Sequence, residues 1–193
     1  MPSIDISTLD KENHDYAVHL ATYRHVLYFE NGTFLLDGAH SLTSFESVDF
    51  WRDIALAAEI LLKASLLRHK IPFFKKRAHG EYGVKVTALH NPWLNETLQE
   101  LQIDYLAQIN TGTVSTALKS AETALFGTLD MDIGKTELVS KMIYIIIRTR
   151  RNRNSHFFFP NQGTIDMAEV EMLYLPLLNL LEEIYTSAPA EEI

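Results

Sequence analysis

Tyr16, Leu20, Tyr23 and Leu27 step by four, three and four residues, the spacing of one apolar helix face that Asn31-Gly32 would stop. A hairpin turning at Asn31-Gly32 is the alternative, with 26–29 and 33–36 as its strands. The 4-3-4 spacing favours the helix. Thr43-Ser44-Phe45-Glu46 has the form of a capping box and opens a second helix, roughly 46–69, with Phe50, Ile54, Leu61 and Leu67 along it and Pro72 beyond its end. Residues 72–91 read as a connection carrying Gly80 and Gly83. Asn91-Pro92 pairs an N-cap with proline at the first helical position and starts a helix to about Ile109. A shorter helix follows over about 113–126, then a loop over 128–134. A long helix is expected over about 135–158, and its stretch 142–147 is apolar on every side, which predicts a path through the centre of a bundle. After a turn at 160–163, Thr164 caps a last helix to about Thr186, kinked or interrupted at Pro176. The pattern predicts one all-α domain over residues 1–193, a bundle of five to seven helices.

Composition narrows the classes. There is no cysteine, which removes disulfide scaffolds, thiol catalysis and thiolate metal sites, and fits a reducing compartment. With 47% hydrophobic residues the chain has enough apolar surface for a full core. No basic start followed by an apolar stretch marks a secretory signal, and the longest apolar run, 142–147, is far too short to span a bilayer. A cytoplasmic protein without membrane contact is expected.

The net charge of −8 hides an uneven distribution. Lys63, Arg68, Lys70, Lys75, Lys76 and Arg77 fall in one window with no carboxylate, and Arg148, Arg150, Arg151 and Arg153 in another. Those windows hold 10 of the 17 cations, leaving 7 against 25 carboxylates elsewhere. A phosphate-binding surface needs local positive potential rather than a positive total. Basic residues that merely end two helices, favoured by the dipole there, are the alternative.

The second window contains the chain's one constellation suited to chemistry. On a helical wheel at about 100° per residue, with Arg151 at zero, Ser155 falls near 40°, Arg148 near 60°, Asn152 near 100° and His156 near 140°. One arc thus collects two guanidinium groups, an amide, a hydroxyl and an imidazole. Guanidinium matches phosphate oxygens and the charge that develops on them. Imidazole takes or gives a proton near neutral pH. Asn152 and Ser155 can fix either the imidazole or the phosphate. The set suits metal-free cleavage of an RNA phosphodiester, with the substrate's own 2′-OH as nucleophile. A basic helix end closed by a capping histidine is the competing account.

Arg151-Asn152-x-x-x-His156 resembles the Arg-x4–6-His signature of HEPN domains in its Arg-Asn form. Chance yields about one Arg-x4–6-His match in a chain of this composition, so the neighbouring Asn152 carries the specificity. Ala57-Ala58-Glu59-Ile60-Leu61-Leu62-Lys63-Ala64-Ser65-Leu66 is similar to the early HEPN helix that packs beside the motif helix. The resemblance implies a HEPN-like core at about 46–187, with residues 1–45 an added helix and loop. It implies an endoribonuclease needing no metal or cofactor, leaving 2′,3′-cyclic phosphate and 5′-hydroxyl ends, with its site shared across a homodimer. It further implies a toxin or antiviral effector, with RNA as substrate and an antitoxin as possible partner. By that likeness Arg151 and His156 are catalytic and Asn152 is their polar helper; Arg148 and Ser155, on the same arc of the wheel, are candidates in support. Some members carry a tyrosine two residues after the histidine that a nucleotidyltransferase antitoxin modifies; Phe158 stands there, so that partner is not expected. Arg150 offers the alternative x5 spacing to His156. A non-catalytic HEPN dimer acting as a binding or regulatory module is the alternative function.

Outside the motif, Lys75, Lys76 and Arg77 are candidate RNA contacts. Glu59 either pairs with Lys63 at i,i+4 or lies near the motif and orients an arginine. His69, His79 and His90 flank the basic connection, as ordinary loop residues or as RNA contacts. His14, His19 and His25 lack His-x3-His zinc spacing. Trp51, Trp93, Phe157 to Phe159 and Tyr174 are expected in the core or a dimer contact rather than under bases.

Overall fold

Thr43 fixes the start of the longest described helix, α2 (Ser44–Arg68). Its hydroxyl accepts the Glu46 N–H at 3.3 Å while the Glu46 carboxylate accepts the Thr43 N–H at 2.9 Å, completing the capping box read from the sequence. The other end closes with a Schellman arrangement: the Ile71 N–H reaches the Leu66 carbonyl and the Lys70 N–H that of Leu67, both at 2.8 Å. Lys70 occupies the left-handed position, φ 59°, where glycine is the usual residue. Lys70→Gly is therefore expected to raise stability by roughly 0.5–1 kcal/mol, seen as a higher urea midpoint at unchanged slope.

The structure, a computed structural model, describes residues 8–22, 26–37, 43–71, 74–76, 109–111, 114–126, 129, 133–146 and 165–188. Helix α1 (Leu9–Thr22) precedes a hairpin of β1 (Leu27–Glu30) and β2 (Thr33–Leu36). Beyond α2, β3 (Phe74–Lys76) pairs antiparallel with β4 (Ile109–Thr111). Val114–Ser120 runs on into the π-helical turn Ala121–Leu125, together α3, and α4 covers Ile133–Ile145. Met167–Glu169, the π-helical turn Val170–Tyr174 and Leu175–Thr186 form one continuous helix, α5. Five helices and two two-stranded ribbons make the described part mostly helical, as the periodicity predicts.

The helix expected to continue through Leu27 is instead α1 followed by the hairpin. Asn31 and Gly32 both have positive φ, 50° and 80°, the two-residue turn whose twist matches that of paired strands. Glu30 faces Thr33 and Leu27 faces Leu36 across it. The 4-3-4 pattern failed because it joined two elements and ignored small residues: Ala17 and Ala21 are the fully buried positions of α1, whereas Tyr16 is half exposed. Tyr23 lies outside the described residues. The outer backbone edge of β2 is closed by Asn179 of α5, whose amide accepts the Phe34 N–H at 2.6 Å and donates to the Phe34 carbonyl at 3.2 Å.

A second correction concerns the centre. That place belongs to α2, where Phe50, Trp51, Ile54, Ala55, Ala57, Ala58, Leu61, Leu62, Ala64 and Leu66 are all at most 1% exposed. It packs against α1 and against α5 and carries both small and large buried side chains. In α4 only one face is buried, through Val139, Met142, Ile143 and Ile146; Leu138, Tyr144 and Ile145 are 52%, 52% and 43% exposed. Apolar residues on every side do not centre a helix whose partners cover one side.

Helix α1 runs antiparallel to α2, since Asp10 near its start pairs with Arg68 at the end of α2, 3.2 Å. Helix α5 runs parallel to α2: Trp51 packs on Tyr174 at 4.8 Å between ring centroids, and His69 bonds the Ile184 carbonyl. Pro176 does not interrupt α5; the irregularity is a π-helical turn in the residues just before it. The Leu175 N–H bonds back to the Val170 carbonyl, five residues away, and this wider turn makes room for a ring that supplies no N–H. Asp166 caps α5 by accepting the Ala168 N–H at 3.0 Å, while Thr164, expected in that role, lies outside the described residues. Helix α3 matches its predicted span. The predicted helix end at Ile109 is instead the start of β4; its expected Asn91-Pro92 start is outside the described residues.

Candidate functional site

Arg148, Arg151, Asn152, Ser155 and His156 all lie in 147–164, outside the described residues, as does Arg77. The structure does describe the helix that leads to them. The buried face of α4 packs on α2 and α5 and ends at Ile146, so the chain enters the motif from a position fixed on the core. Among the described residues, Leu138, Tyr144 and Ile145 put apolar surface on the other side of α4.

Helix α2 carries the segment Ala57–Leu66 and, within it, a nearly buried ion pair. The Lys63 ammonium donates to the Glu59 carboxylate at 2.7 Å, with their side chains 15% and 8% exposed. Glu59 thus makes the i,i+4 pair read from the sequence. Two charges this far from water hold each other in place, and removing one strands the other. Ser65, fully buried, returns its hydroxyl to the Leu61 carbonyl at 2.8 Å.

Of the basic connection, Lys75 and Lys76 are described through their backbone. They stand in β3, opposite Asn110 and Ile109 of β4, so the expected connection is at this point a strand. His69 stands in the turn that closes α2, where its ring donates to the Ile184 carbonyl at 2.9 Å and fastens the end of α2 to α5. Trp51 and Tyr174 are core residues, 0% and 1% exposed.

A polar cluster that no sequence pattern marked lies at the opposite end of α2 from Thr43. His14 Nε2 meets the Glu182 carboxylate at 2.7 Å and Nδ1 meets that of Asp15 at 3.3 Å. The imidazole stacks on Tyr185, centroids 4.2 Å apart at 16°, with Phe29 edge-on at 6.2 Å. Arg68 stands 5.0 Å from the centre of the same tyrosine ring and pairs with Asp10, whose carboxylate also accepts from the Tyr185 hydroxyl at 3.5 Å. Burial pulls the His14 pKa down, but hydrogen bonds and charge from Glu182, then Asp15, outweigh it and hold the pKa above the usual histidine value. Burial, followed by the Asp10 charge, pushes the Tyr185 hydroxyl up. His14 and Glu182 are 168 residues apart, and no spacing rule connects them.

No protein-family model, curated protein or solved structure matches the chain. Among the described residues no helix is long and apolar enough to cross a membrane, and no group of three or more His, Cys, Asp or Glu is placed to hold a metal ion.

Proposed function

We propose that the chain is a HEPN-type endoribonuclease that needs no metal, works as a homodimer and acts as a toxin or antiviral effector in the cytoplasm. The observation that carries this is Arg151-Asn152-x-x-x-His156, standing just beyond a helix anchored on the core. The mostly helical fold and the position of Ala57–Leu66 on the helix against which α4 packs support the same reading. So does the apolar surface of Leu138, Tyr144 and Ile145, which suits two-fold pairing of α4 with its copy.

The reaction needs few groups. The 2′-oxygen of RNA attacks the adjacent phosphorus, its proton passes to a base, the P–O5′ bond breaks and the departing 5′-oxygen takes a proton. His156 serves proton transfer, and Arg151 holds and neutralises the phosphate oxygens. Asn152 orients the imidazole, with Arg148 and Ser155 completing the phosphate contacts. The two central residues stand about 140° apart on the wheel, which favours a site built from two copies.

The test is cleavage of a defined RNA by the purified chain, with and without chelator, followed by end-group analysis. Cyclic phosphate and 5′-hydroxyl ends, unaffected by chelator, are expected. Metal-dependent cleavage or 5′-phosphate ends would overturn the mechanism, and RNA left intact at all conditions would favour the non-catalytic module.

Lys75, Lys76 and Arg77 are assigned to RNA binding. The triple change Lys75→Ser, Lys76→Ser, Arg77→Ser should weaken binding across RNA sequences and flatten its salt dependence by roughly one unit of slope per lost phosphate contact. Affinity measured from low to moderate salt checks this, and a slope equal to the parent's would remove these residues from the interface.

A further inference from the structure

The fully buried side chains of helix α1 are small. Ala17 and Ala21 are its fully buried side chains and bring only a methyl group each, with Val18 and Leu20 partly buried beside them. Its side-chain links to other elements include Asp10 to Arg68, Asp10 to Tyr185 and His14 to Glu182, with the His14 ring also against Tyr185 and Phe29. Glu182 is 3% exposed, so its carboxylate depends on this partner more than a surface group would.

The geometry around His14 favours the charged form of its ring. Both ring nitrogens face carboxylates, Glu182 on one side and Asp15 on the other. A neutral imidazole donates from one nitrogen and would aim a lone pair at a carboxylate with the other, whereas imidazolium donates from both. With both nitrogens engaged and one face stacked on Tyr185, this histidine is arranged for holding rather than for catalysis.

We infer that His14 and Glu182 form a proton-dependent latch that fastens α1 to α5. The groups facing the imidazole are Asp15, and along the same helix Asp10; Glu182 and Tyr185 from α5; Arg68 from the end of α2; and the uncharged Phe29 ring from β1. Carboxylates contact the ring directly, while Arg68 is engaged with Asp10, so the local balance favours the cation. The sign follows from the direction of the shift. The latch is complete below the usual histidine pKa and is lost as pH rises through the higher value that His14 has in the folded chain. The inference does not depend on the ribonuclease reading.

Hydrogen exchange by α1 amides, corrected for intrinsic rates and compared with α2, tests it on the full chain from about pH 5.5 to about pH 8.5. Protection of α1 should fall with rising pH, about tenfold for each unit by which the folded pKa of His14 exceeds that of the detached helix, while α2 stays constant. In Glu182→Gln the α1 protection should lose its pH dependence. Flat α1 protection in the parent, or an unchanged dependence in Glu182→Gln, overturns the latch. Should that variant fail to fold, titration of the His14 ring by NMR in the parent decides: a pKa at or below the usual value overturns it equally.

Discussion

Replacing Arg151 or His156 by alanine is expected to slow single-turnover RNA cleavage by about 10²–10⁴-fold each, because one removes the charge held against the phosphate and the other the proton carrier. Helicity and Tm should stay close to the parent's. The double variant should be little worse than either single, since groups acting on one transition state are not additive. A shared site makes a sharper claim. If Arg151 of one copy works with His156 of the other, mixing the two inactive variants creates heterodimers with one intact site, and activity returns. A site contained within one chain gives no such recovery. Single variants that retain full cleavage would remove the motif from the chemistry altogether.

The features legible in the sequence were those that rest on neighbours in the chain. The capping box at Thr43 and Glu46, the Asn31-Gly32 turn as an alternative, helix α3 and the irregular turn ahead of Pro176 each depend on a few adjacent residues. The Arg151-to-His156 constellation is a local pattern of the sequence as well, and its residues lie outside the described ones. What misled was inference from size. Large apolar residues in 16–27 hid the alanines that bury α1, and the run 142–147 hid the fact that α2, with four fully buried alanines, is the helix others surround. The His14 cluster was illegible for a different reason. It draws on α1, β1, α2 and α5, and none of its members has a neighbour that marks it.

Trp51→Ala should produce the largest loss of stability, about 3–5 kcal/mol. The ring is fully buried near the start of the central helix, edge-on to Phe50 at 5.1 Å and 4.8 Å from Tyr174 across the α2–α5 contact. Both neighbours are held by their own helices, so neither can move into the space without disturbing that contact. The cost therefore includes an unfilled cavity as well as lost burial. Phe45→Ala, earlier on the same helix and 67% exposed, supplies the comparison: a change within about 0.5 kcal/mol is expected there. Urea unfolding at constant slope measures both, and a loss below about 1 kcal/mol at Trp51 would mean that this packing does not hold the two helices together. The same pair of variants separates two ways of losing function. Any RNA cleavage lost in Trp51→Ala should return as temperature is lowered and the folded fraction recovers, whereas Arg151→Ala is folded throughout and has nothing to recover.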